Sequence, residues 1–227
     1  ACAVHAARAE AGFEKKELAV PGSIASMVTG DLDGDDRTDL VVSYLRGAGP
    51  NAIRHLAVFF RGDRGYGAAP DCMFLVPTNA VIFDLGDVLG DKADEIVYLT
   101  ANGVIAQPFI ERKPQATVRL LATATLFEAP EEDDLATWDF ARAFSSGGPV
   151  TLIVPTRHKL QLHRRDDASW KPWSSVELEH IYDYDAESRT YRGSQRGGSS
   201  GRPHALRMTT IVPNVDFIDQ SGDGRID

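Results

Sequence analysis

An all-β chain assembled from repeated units is the fold class the sequence predicts, and three observations predict it. Short apolar or alternating runs of strand length recur along the chain. No stretch of about a dozen residues keeps a 3.6-residue apolar period, and an acidic segment returns in register. The runs fall at residues 40–45, 56–60, 96–99, 104–110, 152–154, 159–163 and 207–212. Several are rich in β-branched and aromatic residues and are bounded by Gly, Pro or Asp clusters, the pattern of strands closed off by turns.

The repeat is clearest in two segments. Gly30-Asp31-Leu32-Asp33-Gly34-Asp35-Asp36-Arg37-Thr38-Asp39-Leu40-Val41 lies without a gap on Gly86-Asp87-Val88-Leu89-Gly90-Asp91-Lys92-Ala93-Asp94-Glu95-Ile96-Val97. A degraded third copy starts at Asp139-Phe140-Ala141-Arg142, where Arg142 follows Asp87 at nearly the interval that separates Asp87 from Asp31. The fourth, Asp219-Gln220-Ser221-Gly222-Asp223-Gly224-Arg225-Ile226-Asp227, comes after a distinctly longer interval. The extra length is explained by residues 185–203, a Gly-, Ser- and Arg-rich stretch without apolar period that reads as a solvated loop insertion. Residues 1–12 read as an N-terminal tether and 13–227 as the repeat domain.

The acidic loop has the chemistry of a calcium site. Calcium takes about six to eight hard oxygen ligands, and a short loop supplies most of them when carboxylates recur at alternate positions. Asp31, Asp33 and Asp35 stand at positions 1, 3 and 5, the backbone carbonyl of Arg37 at position 7, and Asp39 at position 9. Asp36, at position 6, is a residue type that tolerates the left-handed backbone required there. In the fourth copy the same stations are Asp219, Ser221, Asp223, Arg225 and Asp227, with Gly224 at position 6. Asp and Gly are also ordinary turn residues. The four carboxylates at ligand stations within these nine positions nevertheless repel one another unless a cation sits among them. The second copy, with Leu89 at position 3, is expected to keep the turn without holding calcium tightly, and the third to be structural only. An EF-hand is excluded because Val42 stands at position 12 and a strand follows.

With this loop followed by an apolar strand, the chain resembles the FG-GAP or VCBS repeat family, whose signature is Asp-x-Asp-Gly-Asp-Gly-x-x-Asp. The resemblance implies a β-propeller of four-stranded blades, of the kind found in integrin α heads, with Ca²⁺ in the loops. About four repeats are visible against about seven in such a ring, so the resemblance implies an incomplete propeller that continues beyond this chain. The function it implies is a non-catalytic, calcium-binding module, extracellular or in the cell envelope, that mediates adhesion by binding a protein or glycan. The alternatives are a scaffold domain of a secreted polysaccharide-acting enzyme, or a lectin.

Other features narrow the field. A net charge of −9 over 227 residues excludes a general nucleic-acid binder. No run of about 18 apolar residues is present to span a bilayer as a helix. Ala1-Cys2 followed by small residues has the look of a lipid-anchor site at Cys2, and equally of an arbitrary chain start. Cys2 and Cys72 are too few for a disulfide framework. Arg61-Gly62-Asp63 is expected to be a hairpin turn rather than an integrin ligand. His158 and His163 are expected on the surface, on opposite sides of a strand and unable to share a metal. Trp170, Trp173, Tyr182, Tyr184 and Tyr191 are read as packing residues, and Glu131-Glu132-Asp133-Asp134 as a solvated loop. No catalytic motif is recognisable, so no enzyme is expected.

Overall fold

The computed structural model describes residues 15–47, 52–127, 135–143, 148–184 and 206–212, and these contain strands and turns but no helix. The first sheet is a meander of β1 (Ser23–Gly30), β2 (Asp39–Arg46), β3 (Ile53–Phe59) and β4 (Cys72–Leu75). The second is built on β5 (Ala80–Gly86), β6 (Glu95–Thr100) and β7 (Gly103–Gln107). A small hairpin, β8 (Phe109–Ile110) with β9 (Lys113–Pro114), then leads to its fourth strand, β10 (Val118–Ala122). β11 (Ala136–Thr137) joins β5 in parallel on the far edge. The third sheet runs β12 (Ala141–Ala143), β13 (Val150–Pro155), β14 (Lys159–Asp166) and β15 (Ser169–Glu177), and β16 (Glu179–Tyr184) pairs with β17 (Leu206–Ile211).

The sheets pack face to face in chain order, and the side chains of the central strands alternate between the two layers they separate. In β6 every residue is buried: Ile96 and Tyr98 point into the core shared with the first sheet, and Val97 and Leu99 into the core shared with the third. A strand buried on both faces reads as a continuous apolar run, which is why 96–99 was legible in the sequence. The first core gathers Leu32, Val41, Leu56, Val58 and Phe60 against Phe83, Ile96 and Tyr98. The second gathers Val97, Leu99, Val104 and Ala106 against Phe140, Leu152, Val154 and Leu160. Each such side chain contributes roughly 1.5–3 kcal/mol of burial. On the outer face of the first sheet Leu18 and Val20 cover Val42, Tyr44, Ala57 and Phe59.

The two acidic loops each join a pair of antiparallel strands. β1 and β5 correspond, as do β2 and β6, and the acidic loops are the connections between them. Gly30 and Gly86 close the two hairpins opposite Asp39 and Glu95. Both glycines let the following repeat approach. A Cβ on Gly30 would lie 2.5 Å from Asp94 Oδ2, and one on Gly86 would lie 2.6 Å from the Ala141 carbonyl. The loop insertion at 185–203, the tether at 1–12 and the acidic run at 131–134 lie outside the described residues.

One expectation is corrected here. His163 is buried, 5% exposed, on β14, an inner strand of its sheet; His158, just before the strand, is exposed. Burial lowers the His163 pKa, and its Nδ1 has no hydrogen-bond partner among the described residues. The aromatic group divides. Trp170 packs against the second core, whereas Trp173 is 42% exposed on β15 with the Arg164 guanidinium over its ring. Tyr182 and Tyr184 lie on β16, and Tyr191 falls outside the described residues. The Arg61-Gly62-Asp63 segment forms a tight turn in which Gly62 and Gly65 exchange backbone hydrogen bonds.

Candidate metal centre

The loop between β1 and β2 is organised around the Asp31 carboxylate. Its Oδ1 accepts the backbone N–H groups of Gly34 (2.8 Å) and Asp35 (3.1 Å), and its Oδ2 that of Asp36 (2.7 Å). Asp35 Oδ1 accepts the N–H of Arg37. The turn needs positive φ at Gly34 (72°) and Asp36 (62°), the second a station that aspartate tolerates. Leu32, fully buried, pins the loop to the core. Asp39, also fully buried, accepts Leu32 N–H at Oδ2 and Arg61 N–H at Oδ1. Burial pushes its pKa up to about 6 against those two hydrogen bonds, and the charges of Asp33 and Asp35 add to the rise.

The loop between β5 and β6 repeats the wiring at positions 1 and 5 and differs at position 9. Asp87 accepts the N–H groups of Gly90, Asp91 and Lys92, and Asp91 accepts that of Ala93. Glu95, in the place of Asp39, accepts those of Val88 and Leu89. Gly90 and Lys92 hold the positive φ stations at 73° and 81°. The side-chain hydrogen bonds that hold the turn come from positions 1, 5 and 9, and its positive φ stations are positions 4 and 6. The aspartate at position 3 is surplus to that backbone need, and it is what distinguishes the first loop from the second.

Asp31, Asp33 and Asp39 bring one carboxylate oxygen each within 4.8 Å of one another. Asp33 Oδ1 is buried and has no hydrogen-bond partner among the described residues. These are the residues a hard dication would draw on, and such an ion would neutralise the cluster and satisfy that oxygen. Asp35 is turned toward cations of the chain itself: its Oδ2 lies 3.4 Å from Arg112 Nη2 and 4.0 Å from Arg37 Nε. The Arg37 side chain reaches Asp63 at 2.7 Å. Asp219, Ser221, Asp223, Arg225 and Asp227 lie outside the described residues, as does Cys2. Cys72 lies half-buried on β4, where burial and then Asp71 push its thiol up to about 11.

No family model and no curated protein matches this chain. The likeness to FG-GAP and VCBS repeats therefore rests on the loop residues themselves.

Three participants had no signal in the sequence. Arg112 donates from Nε to Asp33 Oδ2 at 2.6 Å. Asp94 accepts the N–H of Asp31 and returns its own N–H to the Asp31 carbonyl at 2.6 Å, fastening the second loop to the first. Arg165 lies over the second loop, where a Cβ on Gly90 would collide with its guanidinium. All three act across a sheet-to-sheet junction, which only the packed structure reveals.

Proposed function

We propose that the chain is a calcium-binding, non-catalytic module of FG-GAP or VCBS-like propeller blades, working extracellularly or in the cell envelope and binding a protein or glycan. The observation that carries the metal reading is the convergence of Asp31, Asp33 and Asp39, with one oxygen of Asp33 buried and unpaired among the described residues. The repeat reading is supported by the two loops wired alike between matching strands of successive sheets. In this reading Ca²⁺ stiffens a turn between blade strands, and the binding surface lies elsewhere. Extracellular calcium modules bind at about 10⁻⁴ to 10⁻³ M, which ties occupancy to calcium-rich compartments.

Thermal unfolding tests it. In about 10 mM calcium the midpoint rises by roughly 3–8 °C over the chelated protein, the scale set by mass action at that affinity. Asp33→Ala loses the first loop's share of that rise and remains folded in chelator. An equal rise in wild type and Asp33→Ala would remove the first loop from the account.

A further inference from the structure

Resting on that metal reading, we propose that Arg112 is a built-in counter-cation of the first loop whose charge competes with calcium there and weakens its binding. Arg112 stands at the tip of the β8–β9 hairpin, in the second repeat, 79 residues from its partner Asp33. Both turn residues, Glu111 and Arg112, have positive φ, 49° and 63°, in a type of turn that normally favours Gly or Asn. The hairpin thus holds a strained backbone with its arginine aimed at the neighbouring loop. Nε donates to Asp33 Oδ2 at 2.6 Å, Nη2 donates to Asp35 Oδ2 at 3.4 Å, and the guanidinium lies 5.1 Å from the centre of the Phe60 ring. The Asp33 side chain is only 12% exposed, so the pair is shielded from solvent on the carboxylate side.

An arginine also lies against the second loop. Arg165, at the end of β14 beside the turn that joins the third and fourth strands of the third sheet, lies against Gly90 of the second loop. Arg112 reaches the first loop from a different element, the turn of the hairpin between the third and fourth strands of the second sheet. In the second loop Leu89 has removed the position 3 ligand while the arginine remains. The first loop keeps both the arginine and the full set of carboxylates. Asp33 cannot give its oxygens fully to a dication while one of them holds a guanidinium, and two cations within a single carboxylate cluster repel each other. Arg112 therefore weakens calcium binding and in exchange holds the loop together when the metal is absent.

Calorimetric titration of calcium into wild type, Arg112→Ala and Arg112→Gln tests this, following the binding event that Asp33→Ala abolishes. Arg112→Gln keeps much of the stem over Phe60 and guards against a folding defect in the alanine variant. Both variants are expected to bind calcium up to about fivefold more tightly than wild type, the size of a partly exposed charge pair, and to melt lower than wild type in chelator. Equal or weaker binding in both variants, with wild type still binding, would overturn the competition and leave the metal reading standing. No heat from any of the proteins at about 5 mM calcium would overturn the metal reading itself, and the competition with it.

Discussion

Glu95 shows what burial asks of a single carboxylate in this fold. It is 1% exposed, holds the N–H groups of Val88 and Leu89, and burial pushes its pKa up to about 8. The sign of the linkage follows. Between its ordinary value of 4.5 and about 8 the folded chain keeps a proton that the unfolded chain has released. The stability this gives is complete below the lower value and is lost as pH rises through the upper one. Denaturant unfolding at several pH values across that window should show wild-type stability falling more steeply with pH than that of Glu95→Gln, whose amide carbonyl can still accept the two N–H groups. Parallel curves would mean that Glu95 is ionised in the folded state throughout. The acidic cluster of the first loop was legible because Asp31, Asp33, Asp35 and Asp39 sit so close together along the chain, and Asp31, Asp33 and Asp39 converge in space. Arg112 and Asp94 could not, because nothing local marks a contact spanning 79 or 63 residues.

At the scale of the element, legibility follows burial. The seven runs singled out in the sequence centre on β2, β3, β6, β7, β13, β14 and β17. The unread strands include β15, an edge strand exposed along much of its length whose side chains carry no continuous apolar signal, and β4, an edge strand that is apolar throughout but only four residues long. β12 is three residues long, too short for a period to develop. β5 is the exception: it is largely buried, but Asp84 interrupts its run, held inside by accepting the N–H groups of Phe140 and Ala141 from the next repeat. The glycine that ends each first strand marks where successive sheets touch. Gly86→Ala places a methyl 2.6 Å from the Ala141 carbonyl, which belongs to the backbone and cannot swing aside. The variant should lose about 1–3 kcal/mol, a melting shift of roughly 5 °C, with its β-sheet circular dichroism retained at low temperature. An unchanged midpoint would show that the junction between the second and third sheets is loose.

Over the whole molecule, the strongest feature is that successive sheets share cores and exchange loop contacts in chain order. Asp94 fastens the second loop to the first, and Asp84 ties the second sheet to the third. Among the described residues this is an all-β architecture without a helix long and apolar enough to cross a membrane. Its repeat was legible because the acidic loops at Asp31 and Asp87 align without a gap, whereas the arginine over each loop emerges only when neighbouring sheets pack. The central claim is that calcium occupies the first loop and that position 3 decides which loops hold it. Calcium titration calorimetry on wild type and Asp33→Ala, with the number of bound ions counted, tests this most directly. The account predicts two ions in wild type, in the first loop and in the fourth copy at Asp219, and one in the variant. An unchanged count after Asp33→Ala, or no binding at millimolar calcium, would contradict it.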